Sequence, residues 1–526
     1  MRAALIAATL LLATAAVAAP PPRFDAPPPR LVVLIVVDQF GAGYLPRFRD
    51  QLGPDGLRAF MEQGAYWPLA TYDVAQAMTG PGHATIATGA WPAQHGIALN
   101  VWYDRARDLD FYCVRDDDHR WVGVETPPSP GTSPRTLRAD TLGDALRLRG
   151  GESKVVAVAL KDRSAILLGG FAATAVTWFS PKDFRWTTST FYAPDGQVPD
   201  WLDDLNAPLK AREGQAYTWT VEGPGNGRSA PGEASSKTWT LGKDGGAIES
   251  PLGGELTVEA ALAARARFAL GADAEPDLLA VSFSQFDMVG HDVGPHDRRM
   301  EALLVALDAQ IAQLRRGILQ AVPANDVLFV LTADHGVAPK PEWAATYRLP
   351  GLRVDRATLT DGLEKHLRGR FGRPPRGAKA WVRRFKELHL YLAGDRPDVR
   401  AAAAAWVAAQ PGILAAVTPD DIAQGRLPPD PVGRRLRNQY RADRGGDVVV
   451  LLAPFAIYDK DVAAHLTGHT YDRTVPLAFL GARTPAGVHP GPAEVIDLVS
   501  TVAWRLGVVP PAAAQGKVLV EALPPR

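Results

Sequence analysis

Leu31–Phe40 reads LVVLIVVDQF. An unbroken run of leucine and β-branched residues, entered from a proline-rich stretch and closed by Asp38, reads as a strand buried on both faces, the habit of parallel sheets. In open α/β sheets, ligand-binding groups gather at the carboxyl ends of such strands, and Asp38 stands at that place. Lys154–Leu160 (KVVAVAL), Asp277–Phe283 (DLLAVSF), Val327–Leu331 (VLFVL), Asp447–Leu452 (DVVVLL) and Val475–Leu480 (VPLAFL) repeat the pattern. Helical spacing occupies Leu52–Gln63, Thr136–Arg149, Leu256–Phe268, Glu301–Ala321, Val399–Ala409 and Glu494–Leu506. The expected class is α/β, a central, mostly parallel sheet flanked by helices. Residues 179–254 read as irregular, with an exposed loop over Gly223–Ser236, and 338–448 as a second variable region with a loop over GRLPPDPVGRRLRNQY.

The chain of 526 residues is long enough for one large domain with insertions. Lys+Arg and Asp+Glu balance at 57 each, so no global field draws nucleic acid or an anionic membrane; anion recognition has to be local. Met1–Ala19 reads as a secretory signal peptide: Arg2, the apolar run Leu5–Val17, then small residues. The run is short for spanning a bilayer and Pro20–Pro29 follows, so a secreted or periplasmic chain without a membrane segment is expected. Cys113 is the single cysteine, which excludes an internal disulfide and a thiolate metal cluster.

Chemistry-bearing residues collect just past the strands. Ala75–Gly89 (AQAMTGPGHATIATG) sets Thr79 before a Gly-Pro-Gly turn and a helix start, whose free N–H groups suit phosphate; it is also an ordinary turn. His83 and His95 read as structural, each beside glycine. Asn100 follows on a loop. Lys161 and Arg163 close a strand, and an ammonium with a planar guanidinium suits a dianionic phosphate, although a solvated cluster is the commoner fate of K-D-R. Asp287 and His291 share one face of a helical turn, with His296 and Asp297 close by, and Asp334-His335 closes another strand. Carboxylate and imidazole are both good zinc ligands. His465 and His469 precede Asp472 and the final strand.

Five separated segments thus each end near a strand terminus with groups for metal or phosphate. Two Zn²⁺ ions roughly 4 Å apart are a known device for in-line phosphoryl transfer. Over Leu31 to Leu523 the sequence resembles the alkaline phosphatase superfamily, specifically the PafA-like secreted phosphatases of the type I phosphodiesterase/nucleotide pyrophosphatase group. The segments that carry the resemblance are LVVLIVVDQF, MTGPGHATIATGAWPAQHGI, NVWYD, ALKDRSAILLGG, SQFDMVGHDVGP, LTADHG and HLTGHTYDRTVPLAFLG. It implies an alkaline-phosphatase-like fold with insertions capping the site. It implies two Zn²⁺, one held by Asp38, Thr79, Asp334 and His335, the other by Asp287, His291 and a late histidine. Counting back from Tyr471-Asp472 puts that ligand at His465, where Ala-His-Leu-Thr departs from the family's Thr-His-Gly-Ser, and His469 stays as the alternative. It further implies a Thr79 nucleophile, a covalent phosphothreonine, and Asn100, Lys161 and Arg163 on the non-bridging oxygens. Small-molecule phosphate monoesters are the expected substrates of a monomer. Phosphodiesterase activity at the same metals is the first alternative, and a catalytically dead phosphate-binding protein the second.

Overall fold

The computed structural model describes residues 27–125, 127–128, 130–222, 234–428, 431–458 and 460–525; the signal-peptide stretch and most of the expected loop Gly223–Ser236 lie outside them. In chain order the strands of the two larger sheets are β1 (Leu31–Val37), β2 (Ala65–Thr71), β3 (Trp121–Val122), β4 (Val155–Ala159), β5 (Ala175–Ser180), β6 (Arg185–Ser189), β7 (Asp277–Phe283), β8 (Val327–Thr332), β9 (Val382–Lys386), β10 (His389–Leu392), β11 (Ile413–Val417), β12 (Val448–Leu452), β13 (Thr474–Gly481) and β14 (Gly487–Val488).

The main sheet has ten strands in the order β14-β2-β13-β8-β1-β7-β4-β5-β6-β3. β8, β1, β7, β4 and β5 run parallel, with Leu31 opposite both Asp277 and Val327. β13 is antiparallel to β8 and β2, and β6 to β5. Every residue of β1 is buried, as its apolar run requires for a strand covered on both faces. On one side Thr79–Thr88 packs with Asp162–Gly169, Leu142–Leu148 and Asp497–Leu506; on the other Pro251–Arg267 packs with Gln285–Val293 and Arg298–Leu319. Among the described residues no helix is long and apolar enough to cross a membrane.

β9, β10, β12 and β11 form a second, antiparallel sheet within the 338–448 region and its exit. Leu359, Leu363, Trp381, Val399, Val407 and Val450 give it a core of its own. This region grips the segment before Thr79. Gln439 accepts from Gln76 N (2.6 Å) and donates to Gln76 O (2.9 Å), and Arg434 donates to Asp73 Oδ2 (2.5 Å). The stretch expected as a loop therefore holds a helix, Val432–Gln439, whose polar residues face that segment. The region expected to be irregular likewise carries β6, the helix Asp200–Arg212 and the hairpin Ala216–Val221/Ser235–Thr240.

Two helices start later than expected, one through a local cap and one through a distant carboxylate. The Thr141 capping box with Asp144 starts one at Leu142 rather than at Thr136. Gly53–Gly56 forms a turn that delays the other to Leu57–Glu62, because Asp308 accepts from Gly53 N (2.7 Å) and Leu57 N (2.6 Å). Asp308→Ala leaves both donors without their charged acceptor, and urea denaturation is expected to show a loss of about 3 kcal/mol. An unchanged midpoint would contradict the role given to this carboxylate.

Candidate active site

β8, β1, β7 and β4 lie side by side and point the same way, so the residues that follow them meet at one edge. Asp334 and His335 follow β8, Asp38 follows β1, and Lys161 follows β4 at the N-cap of the helix Asp162–Gly169. The helix Gln285–Val293 follows β7 and carries Asp287 and His291 one turn apart. Thr79 opens its helix at Thr79–Thr88. Asp38, Asp287, Asp334, His335, Thr79 and His465 are all buried.

Three imidazoles are oriented alike. Nδ1 of His335 donates to Gly336 O (2.9 Å), Nδ1 of His291 to Ala463 O (3.0 Å) and Nδ1 of His465 to Ala77 O (2.8 Å). Each bond fixes the tautomer and turns Nε2 toward carboxylates. His291 Nε2 lies 3.2 Å and His465 Nε2 3.9 Å from Asp287 Oδ1, and His335 Nε2 lies 3.4 Å from Asp38 Oδ1. Asp287, His291 and His465 form one group able to hold a metal ion, and Asp38, Asp287 and His335 a second. Asp287 thus joins both groups, although the resemblance implied it for one. His469 turns away, its Nε2 on Leu452 O (2.9 Å). His296 stacks on Trp343 and Asp297 caps the helix Arg298–Leu319, so neither reaches the site.

The carboxylates crowd each other. Burial first, then repulsion from Asp287 and Asp334, raises the Asp38 carboxyl well above its ordinary value. Burial pushes Asp287 up too, but Lys161 and His291 outweigh it and hold that carboxyl well below the usual range. Lys161 Nζ donates to Asp38 Oδ2 (2.7 Å) and Asp287 Oδ2 (2.5 Å). The lysine expected to face phosphate oxygens therefore spans the two donor groups as their counter-charge. Asp334 Oδ1 accepts from Gln39 N (3.0 Å) and His335 N (2.9 Å), while His83 Nδ1 lies between Thr79 O (2.9 Å) and Asp334 Oδ2 (3.1 Å). His83 is structural, as is His95, bonded to Thr85 and Ile97 N. Asp38 Oδ1 is buried and accepts no hydrogen bond, the condition of a ligand atom. With the aligned Nε2 atoms, this donor set fits zinc.

Thr79 Oγ1 lies 3.4 Å from His335 Nε2 and accepts from an Arg163 guanidinium nitrogen at 3.4 Å. Tyr112 OH supports Arg163 (3.4 Å) and donates to Asp162 Oδ1 (2.6 Å). The Gly80 N–H, expected to face phosphate, instead donates to Asn100 Oδ1 (2.6 Å), and Gly82 N–H donates to Met78 O (2.8 Å). The turn thereby ties Asn100 to the Thr79 segment. Asn100 N–H donates to Glu387 Oε2 (2.7 Å) from the second sheet. Burial pushes the Glu387 carboxyl up to about 7. Sequence reasoning missed Gln39, Tyr112 and Glu387. Gln39, at φ 67°, donates from Nε2 to Asp287 Oδ1 (2.7 Å). Its position beside Asp38 was the available signal; Tyr112 and Glu387 carried none.

A large sheet with carboxylates, imidazoles and a buried hydroxyl at its strand ends is the architecture of the alkaline phosphatase superfamily. The crystal structure of alkaline phosphatase PafA superposes with a TM-score of 0.86 at 27% identity, over 94% of this chain and 99% of that one. Residues 32–350 match the model of the type I phosphodiesterase / nucleotide pyrophosphatase family, and the chain belongs to that family. Over 515 residues it is 30% identical to alkaline phosphatase PafA of Elizabethkingia meningoseptica, covering 93% of each. It is 28% identical to alkaline phosphatase PhoV of Synechococcus elongatus, over 93% of this chain and 92% of that one. It is a hydrolase, an enzyme of the alkaline phosphatase type.

The helix behind Thr79 also touches a donor. A Cβ at Gly82 would lie 2.5 Å from Asp334 O and 2.7 Å from Asp334 Cβ. Gly82→Ala is expected to displace Asp334 and lower metal content and phosphate release by about 10–100-fold. Full metal and full activity in that variant would contradict the packing assigned here.

Proposed function

We propose that the chain is a two-zinc phosphate monoesterase in which Thr79 is the nucleophile and becomes a covalent phosphothreonine. The observation that carries this reading is the meeting of the Thr79 hydroxyl, the Arg163 guanidinium and His335 Nε2 within 3.4 Å beside two Asp/His donor groups. One Zn²⁺ would be held by Asp38, Asp334, His335 and Thr79, the other by Asp287, His291 and His465. Bound there, the ions supply Lewis-acid charge to phosphate oxygens and lower the pKa of the nucleophile.

The chain's own groups do the rest. The first turn of its helix fixes Thr79, aligning the hydroxyl for in-line attack on phosphorus. Arg163 and Asn100 offer N–H donors to the non-bridging oxygens, matching charge in a largely loose transition state. Lys161 adds an ammonium between the donor groups, which would be available to a phosphate oxygen with cations held by those groups. The Lys161, Arg163 and Asn100 trio favours a dianionic monoester over a diester, which carries one charge fewer. Phosphodiesterase activity at the same site is the second reading, favoured by the match to the phosphodiesterase / nucleotide pyrophosphatase model. We further propose residues 20–526 as a single catalytic domain with insertions at about 179–254 and 338–448, exported to the periplasm or medium after loss of residues 1–19, and acting as a monomer on small-molecule esters.

Thr79→Ala is expected to abolish turnover of p-nitrophenyl phosphate while retaining bound zinc. Near wild-type release of p-nitrophenol in that variant would refute the nucleophile. Chelation is expected to remove activity and zinc re-addition to restore it. Comparison with bis-p-nitrophenyl phosphate separates the two readings: the monoester should be the faster substrate, and Lys161→Ala should narrow the gap. Preference for the bis ester would select the phosphodiesterase.

A further inference from the structure

The hairpin between β9 and β10 turns on Glu387 and Leu388, which adopt φ 44° and 63° in succession. Two residues at positive φ make the turn that asparagine and glycine ordinarily fill, and a non-glycine residue there costs on the order of 1–2 kcal/mol. Leu388 is fully buried, so packing accounts for it. A carboxylate at 387 needs another reason, since glycine or asparagine would make the same turn with less strain.

Its contacts supply that reason. Glu387 Oε2 accepts the Asn100 N–H (2.7 Å). Gln76 Nε2 donates to Glu387 O (3.4 Å), which moors the tip beside the nucleophile segment. Asn100 is then held at two points: its backbone N–H by Glu387 Oε2 (2.7 Å) and its Oδ1 by Gly80 N–H (2.6 Å). A primary amide carries two N–H donors, and these are what the Asn100 side chain can offer phosphate. Arg163 lies within electrostatic reach of the same carboxylate.

We propose that Glu387 is a positioning residue for phosphate recognition: from the tip of the second sheet's hairpin it holds the Asn100 main chain and thereby aims the Asn100 side chain, so that the 338–448 region completes the phosphate site. The inference rests on the reading of Asn100 as a phosphate ligand. Because it acts through Asn100, its effect must vanish when Asn100 does.

The test is a double-mutant cycle on zinc-replete, full-length protein, with kcat and KM for p-nitrophenyl phosphate and inhibition by inorganic phosphate as readouts. Glu387→Gly relieves the strain of the turn while removing the acceptor of one N–H, so the thermal midpoint should change little and zinc content should be unchanged. kcat/KM should fall about tenfold or more, the loss of a charge-assisted hydrogen bond, and phosphate should inhibit more weakly. Glu387→Gln keeps an acceptor and should recover part of the loss. In the Asn100→Ala background, Glu387→Gly should change kcat/KM by less than about twofold. Wild-type kinetics in Glu387→Gly, or the same fold-loss in both backgrounds, would overturn the proposal. Full activity in Asn100→Ala alone would instead remove the reading of Asn100 and, with it, this inference.

Discussion

Asp38, Asp287 and Asp334 are buried at the end of one sheet, and their mutual repulsion is the constraint around which the site is built. Like charges out of water are tolerated only with compensation. The chain provides it from every side. Lys161 spans Asp38 and Asp287, His83 approaches Asp334, and the Gln39 backbone and side-chain amides reach Asp334 and Asp287. Gln39 adopts a left-handed conformation to do so. Three imidazoles present the same nitrogen to the cluster because three backbone carbonyls hold the other. Such an arrangement concentrates cation-binding capacity at the point where β1 and its neighbours end.

The second sheet belongs to the same arrangement. After it the chain returns to the site through His465, and the helix Val432–Gln439 of the same region fastens the segment before Thr79 through Gln439 and Arg434. Its hairpin tip meets Asn100. The candidate site is therefore assembled from the main sheet and the 338–448 region together, and the segment around Thr79 is tied to that region.

Much of this was legible in the sequence because the site follows periodic, buried strands. LVVLIVVD names both β1 and the place of its aspartate, and the spacing of Asp287 and His291 survives as one helical turn. The resemblance to a known family supplied the ligand sets and the choice of His465. Composition could not separate His465 from His469, since neither lies in a periodic element; the carbonyls of Ala77 and Leu452 distinguish them. The bridging position of Lys161 depends on two carboxylates far away in sequence, and so does the capture of Gly80 N–H by Asn100. Glu387 sits where turn chemistry favours asparagine or glycine, so nothing local marks it. The helix boundary at Leu57 was hidden for the same reason, because Asp308 lies on another helix.

In the proposed mechanism Thr79 carries the phosphoryl group during turnover. Acid quenching of the zinc-loaded enzyme during hydrolysis of ³²P-labelled phosphate monoester, followed by peptide mapping, tests it directly. The account predicts label on the peptide containing Ala75–Gly89, at Thr79, and none in Thr79→Ala. Steady turnover with no trapped label, or label on another residue, would contradict it.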